Sequence, residues 1–276
     1  CCSREFRNIG EKRRKDEGWV SSYSEAKMKK VYILPNIFTT ANMFCGFYSI
    51  IKALEGDFIT AAWAIIIGMI FDSMDGRVAR LTKGTSAFGV EYDSLSDLVS
   101  FGLAPAIVSY LWCLQPYGRL GWLAGFLYLA CTALRLARFN VSIGVVSKKY
   151  FQGLPSPLAA AGLATAIIFY YEMDSVPAIE NYRAIYMLTL LLGLASLMVS
   201  TLKFPSFKEL KVKRENSFGI VAVGVLGLIL IAVRPEVTLF CIVVGYVVWG
   251  LCFNIYCLIF PLKELPVSSS QSQNIK

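Results

Sequence analysis

Apolar positions in this 276-residue chain come in long blocks, separated by short polar stretches, with little of the striping of a soluble amphipathic helix. Eight blocks can be drawn, roughly over 34–53, 58–81, 93–115, 119–141, 154–172, 184–202, 217–233 and 237–260. Each approaches the ~20 residues that an α-helix needs to cross a bilayer. Turn chemistry separates them: Glu55-Gly56-Asp57, Lys83-Gly84-Thr85-Ser86, Pro116-Tyr117-Gly118, Asp174 to Asn181, Phe204-Pro205-Ser206 and Arg234-Pro235-Glu236. Barrel strands would instead alternate over ~10 residues. The pattern predicts an all-α fold, a polytopic integral membrane helical bundle of about eight transmembrane helices. Its expected divisions are a polar basic extension or interfacial segment (1–30), a six-helix membrane core (31–202), a basic loop (203–216), two further spans (217–262) and a polar tail (263–276).

Composition agrees, with 56% hydrophobic residues and a mean hydropathy of +0.56. The net charge of +8 does not point to nucleic acid, because the basic residues sit between the apolar blocks and at the N-terminus. With both termini on one face, all but four of the 27 Lys and Arg gather there, the exceptions being Lys52, Arg119, Arg183 and Arg234. That asymmetry predicts cytoplasmic termini in a cell (inner) membrane. The basic loops, Lys148-Lys149 and Lys203 to Arg214, suit anionic lipid headgroups. Residues 1–30 lack the apolar stretch of a secretory signal, and Met28-Lys29-Lys30 reads as a natural start. The chain has no histidine, which excludes a His base, a Ser-His relay and a His metal site. Its eight cysteines form no CxxC pair and read as small apolar residues.

The second block ends in an unusual way for a spanning helix. It runs into Asp72, Asp75, Gly76, Arg77, Ala79 and Arg80, and the third opens with Gly89, Asp93 and Asp97. Asp72 and Asp75 are three residues apart and share a helix face, with Gly76 and Ala79 continuing that face as a hollow. Gly89, Asp93 and Asp97 repeat every four residues on one stripe. Facing each other, the two helices would bring four carboxylates beneath an open cavity. Hard divalent cations prefer such oxygen ligands and bind them together with substrate phosphates. Solvated helix-end charges are the simpler explanation for any one of these residues. It is weak for all four, since charge near membrane depth is costly and faces a polar interior.

The run Asp72-x2-Asp75-Gly76-x2-Ala79-Arg80-x8-Gly89-x3-Asp93-x3-Asp97 resembles, without a departure, the signature of the CDP-alcohol phosphatidyltransferase family. The resemblance implies a six-helix core around a cavity open to the cytoplasm, a homodimer, CMP as leaving group, and two divalent metal ions (Mg²⁺ or Mn²⁺) held by the aspartates. Asp72, Asp75 and Asp93 would hold one ion, and Asp72, Asp93 and Asp97 would approach the other. Asp97 would also take the proton of the acceptor hydroxyl. Gly76, Ala79, Arg80 and Gly89 would accommodate the cytidine nucleotide and its phosphates, with Asn36 as a polar residue facing the cavity or a simple helix cap.

Three further segments resemble the branch of that family whose acceptor is serine: Leu34 to Asn42, Arg135-Leu136-Ala137-Arg138-Phe139-Asn140, and Phe151 to Pro157. On that likeness the substrates would be CDP-diacylglycerol (or a CDP-linked ether lipid) and L-serine. A serine carboxylate suits an arginine, so Arg138, with Asn140 near it, is the preferred contact and Arg135 the second. Snorkelling to lipid phosphates is the competing account of both arginines. Glycerol phosphate, inositol or inositol phosphate remain alternative acceptors. An intramembrane prenyltransferase and a cation transporter are the alternatives outside the family.

Overall fold

The computed structural model describes residues 35–82, 86–142, 150–173, 182–205, 227, 229–230 and 232–259. Seven helices are described at length: α1 (Pro35–Leu54), α2 (Phe58–Thr82), α3 (Phe88–Tyr117), α4 (Arg119–Ser142), α5 (Ser156–Glu172), α6 (Arg183–Val199) and α7 (Pro235–Ile259). Five of them, α1 to α4 and α7, are long and apolar enough to cross a membrane, so the chain is a multi-pass helical membrane protein. The few described positions of the seventh apolar block are helical. Most of that block, the N-terminal segment, residues 206–216 of the basic loop, Lys148-Lys149 and the C-terminal tail lie outside the described residues.

Local signals account for the helix starts. Asp57 accepts the Thr60 amide at 3.1 Å and so caps α2. Hydrogen bonds from Thr60 hold the Asp57 carboxyl below its ordinary value. Ser86 accepts from the Gly89 amide at 2.9 Å, and this cap starts the helix at Ala87, one residue before the membrane span that defines α3. Ala87 is six residues before the apolar block begins, because the cap and not the hydropathy sets the boundary. Inside α3 the backbone widens into π-helical turns at Leu98–Leu103 and Tyr110–Leu114. The Phe101 carbonyl in the first of these accepts the hydroxyl of the fully buried Tyr128 at 3.1 Å. Single π-turns are frequent at functional positions, and this one begins directly after Asp97.

The short α5 is the innermost helix: every residue from Ala159 to Ile168 is buried. It packs against α2, α6 and α7. A helix apolar all round belongs inside a bundle, and its Ala and Gly residues permit the close approach on which helix association in lipid depends. A β-carbon at Gly162 would already lie 3.2 Å from Leu194 of α6 and 3.6 Å from Val243 of α7. Outward surfaces carry large apolar side chains, among them Phe44, Phe47, Ile67, Ile70, Trp122, Phe126 and Leu134, as a lipid-facing exterior requires.

Two three-residue strands, β1 (Tyr150–Gln152) and β2 (Lys203–Pro205), form an antiparallel pair not foreseen from the sequence. They tie the loop before α5 to the chain leaving α6. Gly153 follows β1 with φ +78°, and a β-carbon there would lie 2.4 Å from the Met198 carbonyl oxygen. Glycine is required on both counts. Its amide donates to the Leu202 carbonyl at 2.9 Å.

Candidate active site

Up-and-down connectivity brings the N-terminal ends of α1, α3 and α5 and the C-terminal ends of α2, α4 and α6 to one end of the bundle. Hydrogen bonds cross between them there: Thr39 to Asp75, Asn42 to Asp97, Ser94 to Asn140, and Arg135 to Ser156. The four aspartates of the signature lie in this region, supplied by α2 and α3.

Asp72, Asp75 and Asp93 each offer an oxygen within 4.8 Å of the other two. Asp97 lies one turn beyond Asp93 on α3, outside this group of three. Asp75 (5% exposed) and Asp97 (9%) are buried, and Asp72 and Asp93 are half-buried. Among the described residues no Lys or Arg forms an ion pair with any of the four. Uncompensated buried charges of one sign are unfavourable by several kcal/mol (about 3–5 for one charge stripped of its partner). A divalent cation resolves this. The donor set is all hard oxygen, and Asp93 Oδ1 is buried without a hydrogen-bond partner. The residues present therefore fit a divalent metal.

The glycines of the signature shape the space beside the carboxylates. A β-carbon at Gly76 would meet nothing within 4 Å, so the helix next to Asp75 borders open space. At Gly89 it would lie 3.6 Å from Asn36 Oδ1, which places the Asn36 side chain across from this glycine, between α1 and α3. Ala79 and Arg80 continue α2, but their side chains lie outside the described residues.

The two arginines of α4 have different surroundings. Arg135 points inward, where Nη1 donates to the buried Ser156 hydroxyl at 2.8 Å. Its Nε is buried with no partner. Arg138 is exposed and directs Nη1 to the Val199 carbonyl at 3.4 Å. Asn140 exchanges hydrogen bonds with Ser94, one turn before Leu98 on α3. Neighbouring rotations on one helix are separated by what packs opposite them, here the start of α5, and α4's own sequence does not contain that information.

Sequence reasoning also passed over Ser96 and Ser100, and used Thr39, Asn42 and Ser156 only within segments of resemblance. Thr39 donates to Asp75 Oδ2 at 3.0 Å, and Asn42 donates to Asp97 Oδ1 at 3.2 Å. The available signal was a set of hydroxyl and amide residues spaced three or four apart (39, 42; 96, 100) within otherwise apolar helices.

Comparison with known proteins places this geometry in context. The profile of the CDP-alcohol phosphatidyltransferase family matches residues 32–200. A CDP-diacylglycerol–serine O-phosphatidyltransferase of Helicobacter pylori J99 is 33% identical over 229 residues, covering 83% of this chain and 94% of the relative. One from Bacillus subtilis is 34% identical over 176 residues, covering 64% of this chain and 92% of the relative. The archaetidylserine synthase of Methanothermobacter thermautotrophicus is 32% identical over 186 residues, covering 66% and 73%. The matched stretch contains α1 to α6 and all four aspartates, and this chain belongs to the CDP-alcohol phosphatidyltransferase family.

Proposed function

We propose that this protein transfers the phosphatidyl group of CDP-diacylglycerol, or of an ether-linked counterpart, to the hydroxyl of L-serine, giving phosphatidylserine and CMP. The observation that carries the reading is the grouping of Asp72, Asp75 and Asp93 within 4.8 Å, with Asp97 one turn beyond Asp93 on α3, in a chain whose relatives bear the names given above.

The serine hydroxyl oxygen attacks the β-phosphorus, a new P–O bond forms, and the bond to the CMP oxygen breaks. Asp97 accepts the hydroxyl proton. Two divalent ions, Mg²⁺ or Mn²⁺, held by Asp72, Asp75 and Asp93 and by Asp72, Asp93 and Asp97, would supply charge neutralisation at the attacking and leaving oxygens. The nucleotide lies along α2 at Gly76, where the open space next to Asp75 admits it, with Ala79, Arg80, Gly89 and Asn36 bordering it. Arg135 takes the serine carboxylate: its inward direction and its unpartnered Nε favour it over Arg138. The site opens to the cytoplasm, and the protein functions as a homodimer in the cell membrane.

A headgroup panel tests the reaction. Purified protein with Mn²⁺ and CDP-diacylglycerol is expected to release CMP with serine, and not with glycerol phosphate, inositol or inositol phosphate. No CMP from any acceptor counts against the enzyme. Release with another alcohol in place of serine overturns the acceptor alone. Within the panel, Arg135→Ala is expected to raise the KM for serine by about 10- to 100-fold, the loss of one charge-assisted contact of about 1.5–3 kcal/mol. The KM for CDP-diacylglycerol should stay within twofold. A KM for serine that stays near wild type moves the carboxylate contact to Arg138.

A further inference from the structure

Beyond the aspartates themselves, the hydrogen bonding of α1 stands out. Thr39 and Asn42 are one turn apart and both buried (3% and 0% exposed). Each engages one oxygen of an aspartate on a different helix: Thr39 Oγ1 donates to Asp75 Oδ2 on α2, and Asn42 Nδ2 donates to Asp97 Oδ1 on α3. The backbone carbonyls of the same two residues accept the hydroxyls of Ser96 and Ser100 on α3, both at 2.9 Å. Asp97 is thus flanked in sequence by two serines bonded to α1 while its own carboxylate is bonded to α1. Glycine makes this seam close: a β-carbon at Gly46 would lie 2.6 Å from Ser100 Cα. On the other side of Asn42, Gly68 of α2 leaves room for Asn42 Oδ1, which lies 3.0 Å from where a β-carbon would stand. That oxygen has no partner. Turning the amide over would set an acceptor against the Asp97 carboxylate, so the charge of the site fixes the amide direction.

We propose that Thr39 and Asn42 are positioning residues, through which α1 holds Asp75 and Asp97 in register across two helices. One oxygen of each carboxylate is held by α1, and the other is left for the metal and proton chemistry. The inference rests on the reading of the aspartates given above. Partners of metal-binding carboxylates typically contribute 10- to 100-fold to metal affinity or activity.

The test compares Asn42→Leu and Thr39→Val, close in size and without the donor, with Thr39→Ser, which keeps it. Ser49→Ala is the control, because Ser49 makes an α1–α2 hydrogen bond to the Ala61 carbonyl at 2.7 Å that involves no aspartate. Mn²⁺ binding to detergent-solubilised protein is read by electron paramagnetic resonance, and kcat and KM by CMP release. Thr39→Val is expected to weaken Mn²⁺ binding about tenfold, with Thr39→Ser near wild type. Asn42→Leu is expected to lower kcat about 10- to 100-fold while the KM for the CDP-lipid stays within twofold. Ser49→Ala should match wild type in both. Mn²⁺ affinity within twofold of wild type in Thr39→Val, kcat within twofold in Asn42→Leu, or equal losses in Ser49→Ala would each overturn the proposal. Wild-type protein that binds Mn²⁺ but yields no CMP sinks the reaction assigned to the site, while the Thr39 binding comparison still decides the role of α1.

Discussion

Asp97→Asn is expected to lower kcat by about 10²- to 10⁴-fold, the range for loss of a positioned general base. Binding of the CDP-lipid, measured by displacement of a labelled nucleotide, should change by no more than a few fold. Carboxylate and carboxamide are nearly the same size, and the substituted side chain would still present an oxygen to the Asn42 amide, so the helix seam stays intact. What is lost is the ability to take a proton at the place where α3 enters its π-helical turn. The substituted chain should therefore bind substrate and leave it unreacted. Weakened nucleotide binding with wild-type turnover would reverse the roles assigned to Asp97 and its neighbours.

The second large effect concerns the metal site proposed for Asp72, Asp75 and Asp93. Treatment with EDTA is expected to bring CMP release to background, with recovery on addition of Mn²⁺. Asp72→Asn, Asp75→Asn and Asp93→Asn should each cost on the order of 10²- to 10⁴-fold in kcat. The double variant Asp75→Asn, Asp93→Asn should cost no more than its worse single parent, because groups that act as a unit fail together. Oxygens of the two carboxylates lie within 4.8 Å of each other. Losses that multiply in the double variant would instead mean two independent roles. Full activity after chelation would remove the metal from the mechanism.

Much of this was legible beforehand. Blocks drawn at 58–81 and 119–141 correspond to helices Phe58–Thr82 and Arg119–Ser142, because long apolar runs ended by Gly, Pro and charge define a span almost unaided. The aspartate signature was legible for a related reason: spacings of three and four residues fix which side chains share a face of one helix. What a single helix cannot reveal is which neighbour that face meets. The inward turn of Arg135 depends on Ser156, 21 residues away in sequence. The supporting bonds from Thr39 and Asn42 depend on contacts 36 and 55 residues distant. The β1–β2 pair was missed because three-residue strands carry no periodicity, and their pairing partner is supplied only when the helices are already assembled.

The innermost helix has a consequence for the membrane around the enzyme. At 17 residues, α5 spans only about 25 Å along its axis, less than a typical ~30 Å hydrocarbon core. Because its middle is covered by protein on all sides, α5 is under no pressure to match the thickness of the surrounding lipid. Thickening or thinning of the bilayer acts on the outer spans, which tilt to accommodate the mismatch. The end of α5 that carries Ser156 and meets Arg135 is set by its protein neighbours, so the depth of the reaction chamber is insulated from the lipid composition that the enzyme itself alters.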